Sequence, residues 1–220
     1  MKRLLMQCFF MAGMSLFFSA QAQNVKDIDG NEYQTVKIGA QTWIKENLKV
    51  THYNNGDKIA TTTDTLNLFN ELNPKYQWAY GGQENSAVVY GRLYTWYAVA
   101  DDRKVCPAGW HVPTVEEWSV LVKNSGGSSK ATYQLREAGN THWIQSDSLV
   151  NNLSGFTALP SGERSYNGVY KGLGEYCRWW SANASETVTC NILYLPFELG
   201  YPVPMFKQDS YGLAVRCLKD

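Results

Sequence analysis

The sequence predicts a single α+β domain with short twisted antiparallel strands, two or three short helices and long loops. Three observations predict it. Short strand-like runs separated by turn residues occupy both ends of the chain beyond an apolar leader. Helical spacing is confined to the middle. Strands flanking a helical centre bring the two ends into a common sheet.

The leader comes first. Lys2 and Arg3 precede an apolar stretch over residues 4–18, and Ala20 and Ala22 place small residues at minus three and minus one of a cleavage site. This is the pattern of a secretory signal peptide over residues 1–22, leaving 23–220 as one domain. A transmembrane anchor is the alternative. The stretch is short for a hydrocarbon core of ~30 Å, and Gln7, Gly13 and Ser15 break it. Cys8 lies inside the apolar run rather than after it, which argues against lipidation. No later run spans a membrane. The expected location is therefore periplasmic, cell-surface or extracellular.

Residues 25–28 and 33–38 flank Asp29-Gly30-Asn31, a hairpin signal because Asp-Gly supplies positive φ angles. After Gly39, residues 41–44 resume an extended pattern. Residues 51–89, rich in Asn, Thr and Gly, read as surface excursions with little regular structure. Thr114 followed by Glu117 forms a capping box, and Val115, Trp118, Leu121 and Val122 make one helical face. That helix should stop before Gly126-Gly127. A second short helix is expected over 130–138 and a third over 93–100. Strands return over 156–159, 178–181, 187–195 and 212–218.

Composition excludes some functions. The chain holds 20 basic and 20 acidic residues. Losing Lys2 and Arg3 leaves 18 against 20, with no cluster of like charge. A nucleic-acid or anionic-membrane surface would need clustered Lys and Arg. Cys8 leaves with the leader, so Cys106, Cys177, Cys190 and Cys217 remain. An even count in an exported chain reads as two disulfides, with three pairings open. Zinc would need a CxxC pair or a nearby histidine that completes a ligand set, and the sequence offers neither.

The motifs, in order, carry a resemblance. They are Asp29-Gly30-Asn31-Glu32-Tyr33, Val36 to Trp43, Glu46-Asn47-Leu48, Tyr90-Gly91-Arg92-Leu93-Tyr94-Thr95-Trp96, and Cys106-Pro107-Ala108-Gly109-Trp110-His111-Val112-Pro113-Thr114. Gly155 to Gly162, Trp180-Ser181 and Val215-Arg216-Cys217 complete them. Together they resemble the Fibrobacter succinogenes major paralogous domain family of exported bacterial proteins. The family is distantly similar to the C-type-lectin-like and formylglycine-generating (sulfatase-modifying) folds, which implies a single C-type-lectin-like domain but hands over no activity. The resemblance implies a Cys106–Cys217 disulfide. Cys177 and Cys190 stand outside the pattern; they flank Trp179-Trp180-Ser181 and a polar turn, and a disulfide between neighbouring strands is expected.

The candidate chemistry is thin. A sulfatase-modifying activity would need reactive cysteines, and the surroundings of Cys177 and Cys190 do not match. Asp27-Ile28-Asp29-Gly30-Asn31 alternates oxygen donors, but its glycine and Ile38 sit wrongly for a calcium loop, so a β-turn is expected. His52, His111 and His142 are scattered, and no nucleophile motif accompanies His111. Adjacent Glu116 and Glu117 do not face each other on a helix. No catalytic residue, cofactor or metal site is expected.

Aromatic content is the functional hint, with 8 Trp and 14 Tyr. Trp143, Tyr166, Tyr170, Trp179 and Trp180 lie near turns. Aromatic faces stack on sugar rings and anchor protein interfaces. In Trp179-Trp180, strand alternation sends the rings to opposite faces, one expected buried and one exposed. Trp180 belongs to the family motif, so Trp179 is the surface candidate, with Tyr166, Tyr170 and Trp143. Asp64-Thr65-Leu66 and Asp147-Ser148-Leu149 match a short bacterial O-glycosylation sequence. The expectation is an exported, non-catalytic binding or structural module with a glycan or a cell-surface protein as partner. The alternative is an exported enzyme acting on glycans or modifying proteins.

Overall fold

A computed structural model describes residues 24–63, 65–145, 148–184, 189–196 and 203–220. The leader and the first residues of both Asp-Thr/Ser-Leu tripeptides, Asp64 and Asp147, lie outside the described residues.

Strands β1 (Val25–Lys26) and β2 (Glu32–Tyr33) pair around the Asp29-Gly30 turn. Asp27 closes this turn: its carboxylate accepts from the Asn31 backbone N–H (2.9 Å), the Asn31 side chain (2.8 Å) and the Tyr33 hydroxyl (2.6 Å). The Asp27 carboxylate thus serves a turn, while that of Asp29 bonds to Thr51 and His52. Next come β3 (Thr35–Ile38), β4 (Gln41–Ile44) and β5 (Gln77–Trp78).

The centre holds α1 (Glu84–Tyr90), β6 (Leu93–Tyr94), α2 (Trp96–Val99), β7 (Trp110–His111), α3 (Val115–Asn124) and α4 (Ala131–Leu135). In α3 both halves of the capping box form, and Trp118 and Leu121 are buried. Helix α4 is shorter than the 130–138 expectation because Arg136 leaves it to bridge Ala158. Helix α1 arises inside the stretch read as irregular. It has no side-chain cap and buries only Ala87, so it leaves no amphipathic signature.

The last third forms β8 (Ser161–Arg164), β9 (Tyr170–Leu173), β10 (Tyr176–Ala184), β11 (Thr189–Pro196), β12 (Val203–Gln208) and β13 (Leu218–Lys219). A five-stranded sheet runs β12-β11-β10-β8-β9, and a four-stranded one runs β3-β4-β13-β7. In the second, the C-terminal strand pairs with β4, so the two ends of the domain do meet. Gly162 takes φ +63° inside β8, where an added Cβ would lie 2.5 Å from the Lys171 carbonyl. Only glycine fits there, which is why a glycine sits within a strand.

Strand β10 and the segment 213–218 run between two apolar clusters. One gathers Tyr94, Val105, Trp110, Trp180 and Val215; the other gathers Trp43, Trp118, Trp143, Phe156 and Trp179. Alternation does send Trp179 and Trp180 to opposite faces, but both faces are covered. Each residue is 0% exposed, and the expected exposed ring does not exist.

The Cys106–Cys217 disulfide is present, with Cα atoms 5.9 Å apart, and ties the start of β7's loop to the final strand. It closes a loop across a sequence separation of 111 residues. A loop of that length stabilises the folded state by about 4–5 kcal/mol. The expected Cys177–Cys190 bond is not formed: Cys177 is a free, buried thiol. The register of the β10–β11 pair gives the reason. Cys177 faces Leu195, whereas Cys190 faces Ala184 at the far end of the hairpin. Ala184 lies seven positions beyond Cys177 along β10, roughly 20 Å, whereas a disulfide needs Cα atoms within about 7 Å.

Candidate functional site

The four aromatic candidates separate into two buried and two partly exposed. Trp179 donates its indole N–H to Asn47 Oδ1 (2.8 Å) and packs against Trp118 and Phe156. Trp143 donates to the Ala158 carbonyl (3.1 Å), and the Arg136 guanidinium lies 3.9 Å above its ring. Neither has a surface to offer, because the helices over the β10 sheet and the 131–158 segment cover them. Tyr166 and Tyr170 are half-buried and reach solvent. Tyr166 contacts exposed Phe69 (5.5 Å) and Tyr211 (5.7 Å); Tyr170 contacts Tyr80 (5.2 Å). These two tyrosines sit on the β8–β9 hairpin, each with its own aromatic neighbours.

Beneath the surface, the motif residues converge on Arg216, which is fully buried. Its Nη1 donates to the carbonyls of Ile44 (3.3 Å), Lys45 and Phe156 (2.9 Å). Its Nε and Nη2 both reach Asn47 Oδ1, at 3.1 and 2.9 Å. Asn47 in turn donates to the Tyr90 carbonyl (2.9 Å), and Gly91 lies so close that a Cβ there would meet Asn47 Cβ at 2.5 Å. The guanidinium also stacks on Phe156, 4.4 Å from its centroid. Burial lowers the Arg216 pKa to about 10, so it remains a cation at neutral pH, satisfied by carbonyl dipoles. Nearby, burial pushes the Cys177 thiol up to about 11, and its Sγ is 3.0 Å from Ser161 Oγ. A protonated thiol sealed from solvent is not a nucleophile. This is a structural hub.

A concave feature of the described surface lies elsewhere, alongside α2. Two adjoining hollows of about 480 Å³ and about 540 Å³ share Trp96, Ala100, Asp101 and Asp102. The first continues over Trp110, Val112 and the Cys106 side of the disulfide to His111 and Asp220. The second is closed by Lys75, Tyr97 and Arg103. Trp96 is half-buried and flanks both hollows.

The walls of this groove are fixed. Asp101 accepts from Arg103 Nε (2.7 Å), the Arg103 backbone N–H (3.0 Å) and Lys75 Nζ (2.7 Å). The Arg103 hydrogen bonds, with those of Lys75, hold its carboxyl well below the usual carboxylate range. Lys104 adopts φ +59°, a left-handed conformation that costs a non-glycine residue about 1–2 kcal/mol. Asn54 holds that loop: its backbone N–H donates to the Lys104 carbonyl (3.0 Å) and its side chain to the Cys106 carbonyl (2.6 Å).

At the other end, His111 bridges two carboxylates, Asp220 at 2.7 Å from Nδ1 and Glu117 at 3.0 Å from Nε2. Glu117 also accepts from the Thr114 backbone N–H (2.8 Å), so the α3 cap and the groove rim are one network. Sequence reasoning placed Trp96, Trp110 and His111 in motifs but could not see them meet. Asp101, Asp102 and Lys104 carry no local signature at all.

Among the described residues, no cluster of three or more metal-ligating side chains is present, and no helix is long and apolar enough to cross a membrane. Over residues 36–219 the chain matches the Fibrobacter succinogenes major domain. No curated protein and no solved structure matches it.

Proposed function

The chain belongs to the Fibrobacter succinogenes major domain family, and from that premise we propose that it is an exported, non-catalytic binding module whose ligand lies in the groove beside α2. The groove carries this reading. It joins aromatic faces to charged rims on a backbone held by the Cys106–Cys217 disulfide and by Asn54. A rigid, partly apolar concavity with a few polar groups is the usual form of a ligand site.

The state of its ionisable groups favours binding over chemistry. Asp101 is committed to Arg103 and Lys75, His111 to Asp220 and Glu117, and Cys106 to its disulfide. Catalysis would need a nucleophile or a proton-transfer pair converging on one point of the cavity. Export is supported by the leader pattern over residues 1–22 and by the disulfide, a bond that persists in oxidising compartments. A C-type-lectin-like arrangement is part of the proposal, supported by the terminal strand pairing and the loop-built groove.

Presenting the purified protein to arrays of glycans and of bacterial surface proteins tests this reading, with captured ligand recovered for mass spectrometry. Reversible capture of an unaltered ligand is expected. Recovery of cleaved or covalently changed ligand would overturn it in favour of an exported enzyme.

A further inference from the structure

We infer that the groove takes a neutral oligosaccharide of at least two units, laid across Trp96 with one unit in each hollow. This rests on the binding-module reading above and specifies its ligand.

Charge decides the class. Three basic residues, Lys75, Arg103 and Lys104, line the two hollows with three acidic ones, Asp101, Asp102 and Asp220. Such a balance gives no net field to attract a phosphate, a polyanion or a cation. A purely apolar ligand would strip water from these charges without replacing its hydrogen bonds. The ligand that suits the walls is therefore neutral but rich in hydroxyls.

The surface chemistry agrees. Asp102 is exposed and has no ion pair or hydrogen bond among the described residues, so its carboxylate is open to accept from a hydroxyl. Lys104 is an exposed donor nearby. Trp96 and Tyr97 lie beside them with half-buried rings. A pyranose presents C–H groups on its face and hydroxyls at its edge, matching an aromatic plane rimmed by charged groups.

Geometry sets the length. Each hollow falls within the usual range for small-ligand sites, about 300–1,000 Å³. Because one indole and one short wall, Trp96 and Ala100 to Asp102, belong to both, a chain of sugars can occupy both while keeping contact with the same ring. A monosaccharide reaches only one hollow at a time. The fixed backbone around Lys104 and Cys106 means that little ordering opposes binding.

The test titrates the purified protein with a panel of neutral mono-, di- and tetrasaccharides of the common hexoses, pentoses and N-acetylhexosamines, beside charged counterparts. At least one neutral disaccharide should bind about tenfold or more tightly than its monosaccharide. Ala100→Tyr, at an exposed position, fills the shared wall without disturbing the core and should weaken that binding about tenfold or more. Asp102→Asn should weaken it severalfold, and Tyr166→Ala should leave it unchanged. Equal affinity for mono- and disaccharide, or preference for charged glycans, would overturn the inference. So would binding that ignores Ala100→Tyr and disappears in Tyr166→Ala; the binding-module reading would then survive with its site at Tyr166 on the β8–β9 hairpin. Capture of a surface protein with silence towards every glycan would also overturn the saccharide while sparing the module. Silence towards both, from folded protein, would end both readings.

Discussion

The Arg216 hub and the groove beside α2 are both built from charge next to aromatic rings, yet they behave as opposites. In the hub one cation is sealed among carbonyls, Asn47 and Phe156, with no carboxylate bonded to it among the described residues. In the groove, acids and bases pair at the edge of water, and Asp102 is left open. A buried polar group must be satisfied completely or the fold suffers, whereas an exposed one exchanges partners with solvent at little cost. The comparison teaches that the hub specifies the fold and the groove is free to specify a ligand. Substitutions should therefore separate cleanly, with stability lost at one and binding at the other.

The largest effect should follow Arg216→Ala. It would take the guanidinium donors from the Ile44, Lys45 and Phe156 carbonyls and leave Asn47 Oδ1 with the Trp179 indole N–H. Each unpaired buried group costs about 1–3 kcal/mol, and the vacated volume adds to it. A loss above about 4 kcal/mol is expected, a large share of the 5–15 kcal/mol typical of a domain. Urea unfolding would measure it, and a near-neutral result would remove the hub from the account of the fold. Trp179→Ala comes next, at about 3–5 kcal/mol for a buried indole. Tyr166→Ala, at a half-buried position on the β8–β9 hairpin, should cost under about 1 kcal/mol. Similar losses for the two would contradict the burial difference between them.

Much of this frame was legible in the sequence. Thr114 and Glu117 announce α3 because a cap is a local contract among four residues, and the Asp29-Gly30 turn is equally local. The motif resemblance pointed to Cys106–Cys217 and marked Asn47, Gly91 and Arg216 without saying that they touch. Trp179 was misread because alternation along a strand fixes which face a ring takes, not whether that face is covered. Cys177 and Cys190 were misread because pairing depends on hairpin register, and register is a tertiary fact. The groove was hidden for the same reason. Lys75, Trp96 and Asp220 are far apart in the chain and come to line the two hollows only after β13 joins β7.

The network joining the groove rim to α3 allows a smaller test. Thr114→Ala removes the hydroxyl that accepts from the Glu117 backbone N–H. About 1 kcal/mol should be lost, as for other helix N-caps. Glu117 would keep its bonds to His111 and the Thr114 backbone N–H, so ligand affinity should hold. A matching fall in affinity would show that the rim is held by the cap hydroxyl rather than by the carboxylate.

The smallest effect belongs to Asp101 and depends on pH. Its folded pKa lies below its unfolded value of about 3.9 because Arg103 and Lys75 stabilise the carboxylate. Between those two values the unfolded chain binds more protons than the folded one, so stability rises with pH across the window. The contribution is complete above the unfolded pKa and disappears as pH falls through the folded one. Asp101→Asn should therefore be less stable than the parent at pH 7, and the gap should narrow as the pH drops below about 4. Lys75 and Arg103 are partly exposed, with 46% and 35% of their side-chain surface open, so solvent screening keeps the gap small and added salt should shrink it further. Urea midpoints at pH 7 and pH 2.5, with and without salt, read the difference directly. A gap that stays constant down to low pH would mean that the substitution acts through packing of the groove wall, and that the charge on Asp101 contributes nothing to holding it.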